Sequence, residues 1–146
     1  MDEFTIVTTI DCPPAKVFAA LHDFENVPSW SPGVNEVRQS DDRPVGVGSK
    51  QAYVGRFLGR SYETTSEITE FLPDTKLTQR SISGPFQLDI ENTLEAIDTG
   101  TRLTALYRGE SRGFFKLAEP VVIHLARKQF ETAQENLKAL LEADAI

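Results

Sequence analysis

The stretch FFKLAEPVVIHLARKQFETAQENLKALL, residues 114–141, decides the fold. Phe114, Leu117, Ala118, Val121, Val122, Leu125, Ala126, Phe130, Ala133, Leu137, Leu140 and Leu141 recur in steps of three and four. That spacing puts them on one side of a 3.6-residue spiral. No glycine follows Gly113, and Pro120 falls where the first turn of a helix begun near Leu117 tolerates it. The spacing therefore predicts one helix from about Phe114 to Leu141, roughly 40 Å long at ~1.5 Å per residue. Its apolar stripe needs a broad partner surface, and the preceding chain has to supply it.

That chain reads as strands. Phe4, Ile6, Thr8 and Ile10 alternate with Thr5, Val7 and Thr9 in a β-branched first strand. Asp11-Cys12-Pro13-Pro14 stops it, and the prolines preset the backbone for a short amphipathic helix from Ala15 to His22, followed by a helical turn from Phe24 to Val27. Further strands are predicted over Val34–Gln39, from Gly46 through Phe57, and over Arg60–Phe71, Lys76–Ile82, Phe86–Ala96 and Arg102–Glu110. Phe86, Leu88, Ile90, Asn92, Leu94 and Ala96 share one parity while Gln87, Asp89, Glu91, Thr93 and Glu95 share the other, so this strand has one wet face and one covered face. Short turns between consecutive strands argue for an antiparallel meander. The expected architecture is α+β: a curved antiparallel sheet of six to seven strands wrapped around a long C-terminal helix, with two short helices after strand 1.

The 146 residues predict a single domain, 1–146, with 40% apolar content to build its core. A net charge of -7 repels phosphate backbones, so no nucleic-acid partner is expected. The sole cysteine, Cys12, excludes an internal disulfide and any multi-cysteine metal site. The acidic start Met1-Asp2-Glu3-Phe4 is unlike a secretory signal, and the longest apolar run of the final helix, Val121–Ile123, is too short to span a bilayer. The expected location is the cytoplasm, with no integral membrane association.

Ile10-Asp11-Cys12-Pro13-Pro14-Ala15-Lys16-Val17-Phe18-Ala19-Ala20-Leu21 resembles the strand-to-helix junction of the polyketide cyclase/dehydrase and lipid-transport group (SRPBCC, START-like). Trp30-Ser31-Pro32-Gly33-Val34 is similar to that group's tryptophan segment, Gly46-Val47-Gly48 to the glycine pair at its third strand, and Glu70-Phe71-Leu72-Pro73 to a strand end before a hairpin. The likeness runs from Thr5 to Leu141. It implies the helix-grip fold shared with the major pollen allergens, and a deep cavity between sheet and helix that holds lipids, polyketides, sterols, hormones or quinones, in some members with catalysis.

Parity points Phe86, Leu88, Ile90, Leu103 and Ala105 inward to face Val121 and Leu125 on the helix, with Asn92, Tyr107, Gln129 and Asn136 as polar groups in the same sector. Each of these is either bonded within the protein or waiting for a ligand or water. Trp30 reads equally as a gate at the cavity mouth or as an anchor for the short helices. The candidate ligand-binding set is Trp30, Phe86, Leu88, Ile90, Asn92, Tyr107, Val121, Leu125 and Gln129, while the bends near Gly55 and Gly59 leave the parity of Tyr53, Phe57 and Tyr62 open. His124 lies off the stripe, His22 caps a helix, and Glu63, Glu67, Asp89, Glu91 and Glu95 look outward, so no catalytic dyad, metal site or phosphate loop is formed and no cofactor is implied. The leading expectation is a container for a small hydrophobic molecule. Two alternatives stay open: a cyclase/dehydrase in which Tyr107, Arg80 or His22 handles a proton, and an interaction protein whose interior is filled by Phe86, Phe114 and Phe130 among others.

Overall fold

The computed structural model describes residues 2–146 apart from the side chain of Phe114, so the inward placement expected of Phe114 lies outside the described residues. Strand β1 (Asp2–Ile10) leads into helix α1 (Pro14–Leu21) and a 3-10 turn (Phe24–Ser29). Six strands follow: β2 (Val34–Gln39), β3 (Lys50–Phe57), β4 (Arg60–Leu72), β5 (Lys76–Ser83), β6 (Phe86–Ile97) and β7 (Gly100–Ser111). The chain ends in α2 (Phe114–Leu117) and α3 (Glu119–Glu142). All seven strands form one antiparallel sheet in the order β1-β7-β6-β5-β4-β3-β2, so β1 closes against the last strand. This is the helix-grip arrangement: a curved sheet around a long C-terminal helix, with short helices after the first strand.

The final helix departs from the expected one at its start. It does not run unbroken from Phe114; the chain kinks at Ala118 (φ -108°, ψ 24°) and α3 begins at Glu119. Pro120 explains the break, because in a continuous helix its ring would meet the carbonyl four residues back, at Lys116, whereas at the second position of a new helix its missing N–H costs nothing. The kink reorients everything before it. Leu117, expected on the buried stripe, is 88% exposed.

Two apolar clusters occupy the two ends of the interior. At one end Val17, Phe18, Leu21, Phe24 and Val27 of the short helices pack with Ile10, Ile68, Leu77, Leu94 and Leu103 of the sheet and with Leu137 and Leu141 of α3. At the other, Phe57, Phe115 and Val122 gather Tyr62, Phe86, Ala118, Leu125 and Ala126. The C-terminus of α3 is held by Glu142, which accepts a hydrogen bond from the Asp11 backbone N–H at 2.8 Å, and by an ion pair between Lys16 and Asp144 just beyond it.

One glycine is required by the geometry that sets the cavity wall. A Cβ on Gly55 would stand 1.9 Å from the Gly33 carbonyl oxygen, which accepts a hydrogen bond from Arg56 N–H at 2.9 Å. The segment after Trp30 therefore lies directly on β3, and only a residue without a side chain allows that approach.

Candidate functional site

Between the two clusters the concave side of the sheet and α3 enclose a cavity of about 230 Å³. Its wall is built by the alternation of each strand: Tyr53 and Phe57 from β3, Tyr62, Thr64 and Ser66 from β4, Gln79 and Ser81 from β5, and Phe86, Leu88, Ile90 and Asn92 from β6. Tyr107, Gly109 and Ser111 continue it on β7, and Val122, Ala126, Gln129, Phe130, Ala133 and Gln134 close it from α3. Trp30, Ser31, Pro32 and Val34 form the remaining side.

The middle of this interior is polar. Gln51, Thr64, Ser66, Gln79, Ser81, Asn92 and Gln134 are all buried, in a belt between two apolar ends. Gln79 Nε2 donates to Gln51 Oε1 at 3.2 Å and to Tyr53 Oη at 2.8 Å, and Gln134 Nε2 donates to Tyr107 Oη at 3.2 Å. Tyr107 is wedged among aromatic neighbours, its ring centroid 5.1 Å from that of Phe4 and 4.3 Å from that of Phe130. Burial pushes the phenols of Tyr53 and Tyr107 up to about 12, with the hydrogen bonds from Gln79 and Gln134 pulling the other way. Burial raises Tyr62 as well.

Several polar atoms in this region are buried without a partner: Trp30 Nε1, Gln51 Nε2, Thr64 Oγ1, Asn92 Oδ1 and Gln134 Oε1. Each such atom costs about 1–3 kcal/mol if left dry, so together they would rival the whole net stability of a domain, about 5–15 kcal/mol. Four of the five residues, Trp30, Thr64, Asn92 and Gln134, line the cavity. Their natural partners are water or the polar part of a bound molecule.

Of the residues singled out from the sequence, Trp30, Phe86, Leu88, Ile90, Asn92, Tyr107 and Gln129 meet around the cavity. Val121 and Leu125 do not. Val121 is 54% exposed and Leu125 packs into the apolar cluster around Phe57 and Phe115, because α3 turns Val122, Ala126, Phe130 and Ala133 inward instead. Asn136, placed by periodicity in the apolar sector, is exposed and donates from Nδ2 to the Trp30 carbonyl at 3.1 Å. Trp30 itself is half-buried, packed against the core cluster of the short helices while lining the cavity.

Sequence reasoning missed the belt of Thr64, Ser66, Gln79, Ser81 and Gln134. On β5 the two apolar residues fall on opposite parities, and the structure buries Leu77 with Gln79 and Ser81 while Ile82 is 46% exposed. On α3, Gln134 falls at the helical spacing of Phe130, Leu137 and Leu141, a signal in the period that its polarity masks. Of the proton-handling candidates, Tyr107 lines the cavity and the other two do not. Arg80 is outward and 3.5 Å from Asp89, His22 sits edge-on to Phe18 and Phe71, and His124 is exposed. Glu63, Asp89, Glu91 and Glu95 are paired with Arg38, Arg80, Lys76 and Arg102 away from the cavity. Among the described residues no cluster of His, Cys, Asp and Glu could hold a metal, and no helix is long and apolar enough to cross a membrane.

The family described as polyketide cyclase / dehydrase and lipid transport matches residues 1–142. The fold is similar to that of TTHA0849 from Thermus thermophilus, with a TM-score of 0.84 and 18% identity over 99% of this chain and 100% of that one. It is similar to the Zhui aromatase/cyclase from a Streptomyces species, with a TM-score of 0.77 and 13% identity over 98% of this chain and 97% of that one. Ara h 8.0201 aligns with a TM-score of 0.74 and 16% identity over 97% of this chain and 98% of that one. At these identities the likeness is one of fold. Comparison with curated proteins gives no match.

Proposed function

Starting from the polyketide cyclase/dehydrase and lipid-transport family, to which this chain belongs, we propose that it binds a small, largely apolar molecule in the cavity between sheet and α3 and holds it without transforming it. The observation that carries the reading is the set of unpartnered buried polar atoms on Trp30, Thr64, Asn92 and Gln134 around an otherwise aromatic and aliphatic wall. Few precisely placed polar groups in an apolar pocket are the usual means of orienting a ligand. The apolar wall contributes area at about 25 cal/mol per Å² and the polar belt fixes the pose.

The titratable side chains along the wall favour holding over turnover. Among the described residues they are Asp2, Tyr53, Tyr62, Tyr107 and Glu110. Two of the phenols are pushed to about 12, far from the neutral range in which a general acid or base is effective. Asp2 is exposed and Glu110 half-buried, which puts both carboxylates at the rim.

Native mass spectrometry of the protein purified from its own host tests the proposal, alongside the variant Ala126→Phe, which fills the cavity from the α3 side. A small-molecule adduct on the wild-type chain that is lost from a folded Ala126→Phe variant is the expected result. An adduct that survives in the filled variant, or turnover of a polyketide substrate that disappears with Tyr107→Phe, would overturn it in favour of a surface site or of the cyclase reading respectively.

A further inference from the structure

We infer that the cavity selects a neutral molecule carrying a hydrogen-bond donor, an alcohol or a phenol, and turns carboxylates away; this rests on the ligand-binding reading above. The unpartnered atoms on the wall made by β6, β7 and α3 are both acceptors, Asn92 Oδ1 and Gln134 Oε1. Tyr107 connects them. Its hydroxyl oxygen accepts a hydrogen bond from Gln134 Nε2–H, which leaves Gln134 Oε1 to accept from elsewhere. Asn92 lies opposite Ala105 in the ladder, so it is the diagonal neighbour of Tyr107 on the same face, about 7 Å away. A hydroxyl entering this corner donates to an amide oxygen and can accept from the Tyr107 O–H.

A carboxylate has no proton to give to either amide oxygen and brings a charge that must lose its water. Among the described residues lining the cavity there is no Lys, Arg or His to receive it. The donors lining the cavity, among them Trp30 Nε1 and the hydroxyls of Thr64, Ser66, Ser81 and Tyr107, are neutral and bring no countercharge against the cost of desolvating an ion. The rim carboxylates of Asp2 and Glu110 and the net charge of -7 act in the same direction on approach. An ammonium is not favoured either. Glu110 pairs with Gln87 and Asn92 with Ala105, which places the rim carboxylate five residues, roughly 17 Å, along the ladder from the amide corner.

A matched series separates these terms: naphthalene, 2-naphthol and 2-naphthoate, titrated into the wild-type chain by calorimetry at neutral pH. 2-Naphthol is expected to bind about 10-fold or more tighter than naphthalene, the equivalent of one hydrogen bond, with 2-naphthoate weaker than both. Asn92→Leu and Gln134→Met, each checked for an unchanged circular dichroism spectrum, should reduce the naphthol advantage over naphthalene towards parity. Equal binding of all three, or tighter binding of the naphthoate, would overturn the inference while leaving the cavity reading in place. Failure of all three to bind would overturn the cavity reading and the inference with it.

Discussion

Replacing Tyr107 with Phe removes one oxygen from the interior and tests how that interior is held. Tyr107 is 3% exposed, and its hydroxyl is the partner of Gln134 Nε2 at 3.2 Å. Without it, both ends of the buried Gln134 amide lack a protein partner, which should cost about 1–2 kcal/mol at neutral pH. The pH dependence goes the other way. Burial raises the phenol to about 12 in the folded chain. The unfolded chain, with its phenol near ~10, releases the proton first, so the stabilisation from keeping Tyr107 neutral is complete below about pH 10 and is lost as pH rises towards 12. At about pH 11 the loss is RT ln 10, about 1.4 kcal/mol, and the variant cannot suffer it. Urea unfolding followed by circular dichroism from neutral to alkaline pH should show the variant less stable at neutrality and the two proteins converging near pH ~11. A gap that stays constant or widens with pH would refute the assignment of a buried, burial-raised phenol.

Gly55→Ala should destabilise the fold by about 1–3 kcal/mol in urea unfolding, because its Cβ would overlap the Gly33 carbonyl 1.9 Å away, and the emission of Trp30 should shift to the red as its segment lifts off β3. Val121→Lys should change stability by less than about 0.5 kcal/mol, whereas Val122→Lys should cost about 3 kcal/mol or more, since Val121 is 54% exposed and Val122 is 4% exposed; thermal melts of the pair read the facing of α3. Arg80→Ala should leave ligand occupancy in native mass spectrometry unchanged and alter stability by no more than about 1 kcal/mol, because its partner Asp89 and its own side chain lie on the wet face.

The parts of the site that could be read in advance are those where local periodicity runs undisturbed. β6 alternates without a break, and Phe86, Leu88, Ile90 and Asn92 all reach the cavity. On β3 the glycine at 55 obscures which parity is inward, so the sequence does not decide the facing of Tyr53 and Phe57. β5 carries polar residues on both faces, so hydrophobicity cannot rank them, and Gln79 and Ser81 went unrecognised until neighbouring strands covered them. On the helix the doubled valine at 121 and 122 leaves the stripe's azimuth uncertain by one position, about 100° of rotation. Packing against the sheet resolves it in favour of Val122, which joins the cluster of Phe57 and Phe115 while Val121 is exposed.

Sequence alone determined the order of elements, the long terminal helix and the antiparallel sheet that must cover it, because these follow from the period of apolar residues and the placement of prolines and turns. Only the tertiary structure decided that Thr64, Ser66, Gln79, Ser81 and Gln134 join Asn92 and Tyr107 inside. A polar side chain within or beside an apolar face has the same residue chemistry whether it meets water or a cavity. Its burial is set by what the opposite wall brings within a few ångströms, as Tyr107 does for Gln134.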